Sequence, residues 1–537
     1  VSGTVRRASA ALASGTIVSR LLGFVNVSVL ATVVGVQGSG PNAFALANQL
    51  PTYVYAIVAG GLLSAVLVPH IVKAATSSDG GQAFVNRLVT LGVVAFVATT
   101  VLATAGAPLI VRLYALAGGD RALDDGGLQL AIALAYWCLP QILFYAVYAL
   151  VGEVLNARGV FGPAAWAPAL NNVVMIGVLV LFGLLYGVDP AHRDPATWDA
   201  ARIALLGGGA TLGVALQAIV LAFFWRRTGL GFRPDFRWRG AGLGAPARAA
   251  GWVFGMVLVV QATNLVQTNV AAFADDSDAS LGVLRVTWLI FMLSHSIVAI
   301  SIATPYFTRM STAVRDGDLP ALRTDLSASL RTIGMLVAAA GAALAAAALP
   351  FSAFFAQNPD EARVIALVLL AFLVGLVPFS TLYVVQRAFY ALGDTRTPFL
   401  LQLVQAGIFI AAAIALVAAP SAWIAAGIGL ATSGSVIVQA IVGALLLRRR
   451  LGGGGGAIVR RFGVFALATI PAAAAGLGML ALLGGFLPQG FAVAGKIEGL
   501  LATSAVGAVS ILVFFGVLLV ARAPELRGLP LSVKRKR

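Results

Sequence analysis

Apolar runs of about eighteen residues or more recur along the whole chain, and a run of that length is what an α-helix needs to cross hydrocarbon. Composition agrees: 60% of residues are hydrophobic and only 10% charged, outside the range of soluble globular chains. The expected fold class is an all-α polytopic membrane protein. Fourteen spans are expected, at 8–34, 43–73, 85–113, 127–157, 164–187, 201–226, 248–274, 279–308, 326–349, 362–392, 397–418, 421–447, 458–486 and 499–521. The first apolar segment is too long for a signal peptide and lacks a cleavage site, so it is read as a span.

Charge distribution tests this count. The chain carries a formal +16, which in a soluble protein would suggest nucleic acid. With the N-terminus placed in the cytoplasm, most of the Lys and Arg fall on the cytoplasmic side. They include Arg226, Arg227, Arg233, Arg237 and Arg239, then Arg448 to Arg450, and the tail Lys534 to Arg537. A missed span would scramble that asymmetry from that point on. The positive-inside rule therefore favours cytoplasmic N- and C-termini in a plasma-membrane protein, and explains the basic balance without nucleic acid. Nearly all 20 acids lie in loops or at span ends, with Glu153 the nearest to an exception. No carboxylate sits at mid-membrane, which argues against an acid-based proton relay.

The chain also repeats. "LPTYVYAIVAGGLLSAVLVP" in span two has the place in its half that "LSHSIVAISIATPYFT" has in span eight. "YALVGEVLNARGVFGP" closes span four as "YVVQRAFYALGDTRTP" closes span ten. Two matches in the same order predict two six-helix lobes in tandem, with a substrate site between them near the midplane. The boundaries follow: an N-lobe at 1–225, a basic loop at 226–247, a C-lobe at 248–450, and a last segment at 451–537. In that segment the glycines Gly452 to Gly456 read as a flexible joint that detaches the final two spans. Those spans are a plain anchor or a greasy flank for a lipid tail.

Arg20 stands deep in the first span, where a charge costs from about 3 kcal/mol upward unless it meets water or a partner. It either lines a polar chamber or braces a neighbouring helix. Spans one and two add Asn26, Asn42, Asn48, Gln49 and Tyr55, with Asn48, Pro51 and Tyr55 on one stripe. Arg285 in span eight either joins the chamber or snorkels to the interface. His295 is deeper, a substrate contact or a satisfied core histidine. The amides of span seven (Gln261, Asn264, Gln267, Asn269) and Asn171 and Asn172 of span five read as interhelical glue. An interior of cations and amides without acids suits an anionic substrate, because the arginine fork binds two phosphate oxygens at once. There is no Walker A sequence, dinucleotide turn, HExxH or serine elbow, so no enzyme is expected. One cysteine, Cys138, and three scattered histidines give no metal or cofactor site.

Five segments carry a resemblance: "SRLLGF" at Ser19–Phe24, "NAFALANQLP" at Asn42–Pro51, "GGLLSAVLVP" at Gly60–Pro69, "GEVLNARGVFGPAAWAPALNN" at Gly152–Asn172 and "FYALGDTRTP" at Phe389–Pro398. In these the chain resembles the MurJ (MviN) lipid II flippases of the MOP exporter superfamily. The resemblance implies a MOP-type fold whose cationic cavity takes the pyrophosphate and sugar head of lipid II. It implies a groove for the polyprenyl tail at the last two helices, alternating access, and cell-wall synthesis and division proteins as partners. Arg20 matches the family's first essential arginine. Four positions depart from the pattern: Asn26 stands for an arginine, Asn42 for an acid, Tyr55 for an arginine and Gly60 for a glutamate. The family's span-eight arginine aligns with Leu289, and Arg285, one turn earlier on the same face, is its expected substitute. The departures leave two alternatives open: a flippase for another lipid-linked oligosaccharide, or a MATE-like exporter.

Overall fold

The computed structural model describes residues 2–35, 37–62, 79, 81–115, 125–158, 160, 162–237, 247–274, 281–452, 456–487 and 490–528. His70, most of the "GGLLSAVLVP" stretch, Arg239, Asp275, the centre of the Gly452–Gly456 run and the tail Lys534 to Arg537 lie outside the described residues. Among the described residues the chain is helical and contains no strand. Ten helices among the described residues are long and apolar enough to cross a bilayer, and a pair bent by 42° makes an eleventh candidate. These eleven match, in order, expected spans three to six and eight to fourteen. Helices also stand where spans one, two and seven are expected. The chain is thus a multi-pass membrane protein. It divides into two compact units, Val1–Gly282 and Val283–Arg537.

The first unit holds α1 (Ser2–Val33), α2 (Ser39–Leu62), α3 (Gln82–Ala105), α4 (Ala107–Ala115), α5 (Asp125–Cys138), α6 (Gln141–Ala157), α7 (Gly162–Tyr186), α8 (Ala200–Thr228) and α9 (Ala247–Ala271). Phe44, Leu50, Phe96, Leu134 and Phe182 from four of these helices close its core. Two expected spans are broken. Gly106 with Pro108 separates α3 from α4, since proline removes a backbone donor and clashes with the preceding turn. Leu139 and Pro140 separate α5 from α6. Gly38, at φ 103°, turns the chain between α1 and α2; a Cβ there would lie 2.7 Å from Arg193 Cβ. His192, close by, is buried against the Phe182 ring.

After α8 the chain does not leave the unit. Residues 229–237 run as an extended strap along the first turns of α3. Gln82 Nε2 donates to the Gly231 carbonyl at 3.1 Å, and Arg233 N–H donates to Asn86 Oδ1 at 3.3 Å. Asp235 N–H donates to Thr90 Oγ1 at 3.0 Å, and Arg87 Nε meets Asp235 Oδ2 at 3.0 Å. Leu230 is buried among Val85, Leu88, Val89, Leu150 and Val154. The Arg237 side chain and N–H, then Arg87, hold the Asp235 carboxyl well below the usual carboxylate range. A carboxyl depressed by folding adds stability above its unfolded value, and that stability is lost as pH falls through the folded value. The strap is therefore expected to stay docked from neutral pH down to about pH 4. Hydrogen exchange of the 231–237 amides checks this; Asp235→Asn should raise their exchange already at neutral pH.

The second unit holds α10 (Leu281–Arg315, its first two residues in the first unit), α11 (Leu319–Ala346), α12 (Ala348–Ala353), α13 (Pro359–Leu373), α14 (Leu376–Ala391), α15 (Arg396–Ala415), α16 (Ser421–Arg450), α17 (Gly456–Leu482) and α18 (Lys496–Val520). Expected span ten is the bent pair α13 and α14, broken at Val374 and Gly375. The offset from Leu139 to Val374 equals that from Tyr148 to Tyr383 and from Pro163 to Pro398. The helix breaks thus fall at repeated places. At the break Ser433 Oγ of α16 donates to the Ala371 and Phe372 carbonyls, at 2.7 and 3.1 Å, and Gly375 N–H also donates to the Phe372 carbonyl, at 3.0 Å. The "GDTRTP" turn is built similarly. Gly393 takes φ 73°, and Asp394 accepts from Thr397 N–H at 2.9 Å and pairs with Arg450.

The last two helices belong to the second unit, whatever joint the glycine run makes. α17 and α18 pack on α11 through small residues: Ala338, Ala339, Ala342 and Ala346 face Ala468, Ala472 and Gly476, with Ser510 behind. Glycine and alanine let backbones approach closely where lipid offers no hydrophobic drive. Beyond α18, Glu525 sits buried between Arg331 and Arg461, each at 3.6 Å.

Candidate functional site

In the first unit, two faces of α1 carry polar groups of different kinds. One lies on α7. Asn172 Nδ2 donates to the Ser19 carbonyl at 3.0 Å, and its Oδ1 accepts from Asn26 Nδ2 at 3.3 Å. Asn26 therefore spends its amide on helix contact, and Asn172 is the glue expected. The second face carries Arg20 with Phe24, Val27 and Ala31, at three- and four-residue spacing. It is turned about a quarter of the circumference from the α7 stripe. Arg20 is half-buried, and among the described residues it forms no ion pair. Its charge is thus partly removed from water without a carboxylate to offset it.

On α2 the expected stripe meets α6. Asn48 Oδ1 accepts from Gln141 Nε2 at 3.3 Å, and Tyr145 OH donates to Gln141 Oε1 at 3.2 Å. The Tyr55 ring packs 5.6 Å from Phe96 and 5.9 Å from Tyr145. Asn48 and Tyr55 each reach one of two α6 side chains that are bonded to each other. Gln49, the next residue of α2 after Asn48, is half-buried. Asn42 stands apart, buried in the first turn of α2, where its Oδ1 accepts from Gly282 N–H at 3.4 Å. In α9, Asn264 donates to Gln261 within its own helix, and Asn269 reaches the Leu113 carbonyl of α4 at 3.4 Å.

The remaining two candidates, Arg285 and His295, belong to the second unit. Arg285 is half-buried in α10. His295 is only 2% exposed. Its Nδ1 shares a 3.0 Å hydrogen bond with Ser380 Oγ, and its ring stands edge-on to Phe379 and Tyr383. A π-helical turn, Ser296–Ile300, follows it directly. Tyr383 OH in turn accepts from Arg387 Nη2 at 2.7 Å, and the Arg387 guanidinium lies 5.2 Å from the Phe307 ring.

The family profile described as "Lipid II flippase MurJ" matches residues 30–497, most of the chain. The chain belongs to the MurJ family. A probable lipid II flippase MurJ from Haemophilus influenzae is 28% identical over 405 residues, covering 71% of this chain and 75% of that protein. One from Thermotoga maritima is 26% identical, covering 80% and 82%. The fold agrees. A solved lipid II flippase MurJ in an inward closed conformation superposes with a TM-score of 0.70 at 18% identity, covering 95% of this chain and 99% of that one. An inward-facing multidrug resistance MATE transporter of the MOP superfamily gives 0.64 at 17% identity, covering 80% and 94%. A MurJ is a transporter, so the chemistry to look for is binding and release, not bond-making.

Two further side chains stand out in the structure that the sequence alone does not mark. Gln141, 1% exposed, bridges Asn48 to Tyr145. Its signal was the "LPQ" break in the middle of an apolar span. Arg387 is held by the Phe307 ring and by the ring and hydroxyl of Tyr383. In sequence it reads only as one more basic residue near a span end.

Proposed function

We propose that the chain flips the undecaprenyl-linked peptidoglycan precursor lipid II from the cytoplasmic to the outer leaflet of the plasma membrane by alternating access. The observation that carries this reading is the family match over residues 30–497. The uncompensated Arg20 of α1 supports it, since its planar fork suits a pyrophosphate. In this reading all fourteen spans cross the bilayer, with both termini cytoplasmic. The lobes are 1–225 and 248–450, and the lipid II head lies between them. Arg20, Asn48, Gln49 and Tyr55 from one lobe and Arg285 from the other meet the head, and the polyprenyl tail lies along α17 and α18. Asn26, Asn42 and His295 act by shaping the helices around it. No cofactor takes part.

The physical problem is to carry a charged, sugar-bearing head across about 30 Å of hydrocarbon. A polar path open sideways lets the head cross while the tail stays in lipid. The membrane potential is the proposed drive. With the cytoplasm negative, each net negative charge moved outward gains about 2.3 kcal/mol per 100 mV. Collapsing the potential in cells or vesicles should stop export, and a pH gradient alone should change it little. The reading itself is tested by depletion. In a strain dependent on this chain, lipid II should accumulate on the inner leaflet. Accumulation of a different lipid-linked glycan instead would favour the second reading, a flippase for that glycan, which Asn26, Asn42 and Tyr55 motivate by their departure from the family pattern.

A further inference from the structure

The stripe of α3 that carries the strap continues beyond it. Gln82, Asn86 and Thr90 share that stripe with Val94, Val97 and Val101, at three- and four-residue spacing. The lower three bind the strap. The upper three are exposed, Val101 by 61%. An exposed apolar stripe on a membrane span faces acyl chains, so the strap lies on the perimeter of the unit, directly below lipid. Its depth follows from register. Gly231 is level with Gln82 and Asp235 with Thr90, so the strap climbs about 12 Å along α3 at 1.5 Å per residue. One headgroup layer is about 5–8 Å thick, so the strap spans it and its upper end reaches the acyl boundary.

What the strap presents outward fits this place. Phe232 and Phe236 are exposed by 45% and 64%. Arg226, Arg227 and Arg233 are exposed beside them, and Arg237 stays 81% exposed although it touches Asp235. The strap's one acid is turned inward and occupied by Arg87 and Arg237. Every other charge on its outer surface is therefore positive. Aromatic rings that insert at the acyl boundary, with guanidinium groups at phosphate level, make a surface for anionic lipid. We propose that residues 226–237 form a docking surface for anionic phospholipid headgroups in the leaflet where α3 begins. Under the orientation above, that leaflet is the cytoplasmic one. The proposal does not need lipid II to be the transported substrate, since it rests on the perimeter of the first unit alone.

The test uses the full chain with Cys138→Ala and Phe236→Cys, labelled at position 236 with a small fluorophore and reconstituted into vesicles. The vesicles contain phosphatidylcholine and phosphatidylglycerol, with bromine on the acyl chains of one or the other. Brominated phosphatidylglycerol should quench several-fold more than brominated phosphatidylcholine at equal mole fraction. Neutralising Arg226, Arg227 and Arg233 to Gln should abolish the difference, because none of those side chains anchors the strap. Equal quenching by both lipids overturns the proposal, as does a preference that survives the triple substitution. Absence of quenching by either lipid overturns it too, and points to a protein partner or solvent on this face.

Discussion

Arg20→Glu is expected to abolish function: a strain depleted of its own lipid II flippase should not grow on the variant, although the protein reaches the membrane at normal levels. The reasoning starts from the two faces of α1. The helix is fastened to α7 through Ser19 and Asn26, which share Asn172. Arg20 lies off that stripe, so reversing its charge leaves the fastening intact. What changes is the electrostatics of a half-buried place with no acid paired to it among the described residues. Losing a charge-assisted contact to a phosphate costs about 1.5–3 kcal/mol, which is about ten- to a hundredfold in affinity. Arg20→Gln should show a loss of that order in a vesicle flipping assay. The glutamate adds repulsion of the substrate's own negative charge. Arg20→Lys should retain part of the activity, since it keeps the charge and loses the fork. Normal growth on the glutamate variant would remove Arg20 from the substrate path.

The second large effect is on stability. Gly476→Leu should lower the unfolding temperature of the purified protein markedly. A Cβ at this position would lie 2.1 Å from Ser510 Oγ and 2.6 Å from Ala346 Cβ. Three helices, α11, α17 and α18, meet there with no space between them. Overpacking of this kind typically costs about 1–3 kcal/mol, and a leucine forces more displacement than one methyl does. Gly478→Leu is the matched control. It changes the same residue type on the same helix, and nothing lies within 4 Å of its added Cβ. Heating both variants in detergent and following light scattering compares them directly. Equal unfolding temperatures would show that the three-helix junction is looser than described.

The same physics explains what could be read in advance. Where a span is a single apolar helix flanked by loops, its length and edges are written in hydropathy alone. Spans five, six, twelve and fourteen were expected at 164–187, 201–226, 421–447 and 499–521. They appear as Gly162–Tyr186, Ala200–Thr228, Ser421–Arg450 and Lys496–Val520. Breaks within spans were invisible, because hydropathy averages over them. Gly106, Pro140 and Gly375 matter through backbone geometry, and the breaks near Pro140 and Gly375 are completed by distant side chains, Thr211 on the Trp137 carbonyl and Ser433 on the Ala371 carbonyl. Polar residues divide in the same way. That Asn172 glues helices could be guessed from its type. That Asn26 is its partner could not, since the two are far apart in sequence. The strap was legible only as a basic loop; its register on α3 depends on Asn86 and Thr90, which look like ordinary helix residues.

Between α15 and α16 runs a ladder of amides. Gln402 donates to Gln405 at 2.8 Å, Gln405 donates to Ser435 at 3.0 Å, and Gln439 donates to Gln402 at 3.4 Å. In hydrocarbon none of these groups can exchange its partner for water. Sliding one helix past the other by a single residue would strand several of them at once. The pair is therefore expected to travel as one rigid plank during a transport cycle. Shape change in this unit is left to seams lined by alkyl groups, where contacts can be traded one at a time.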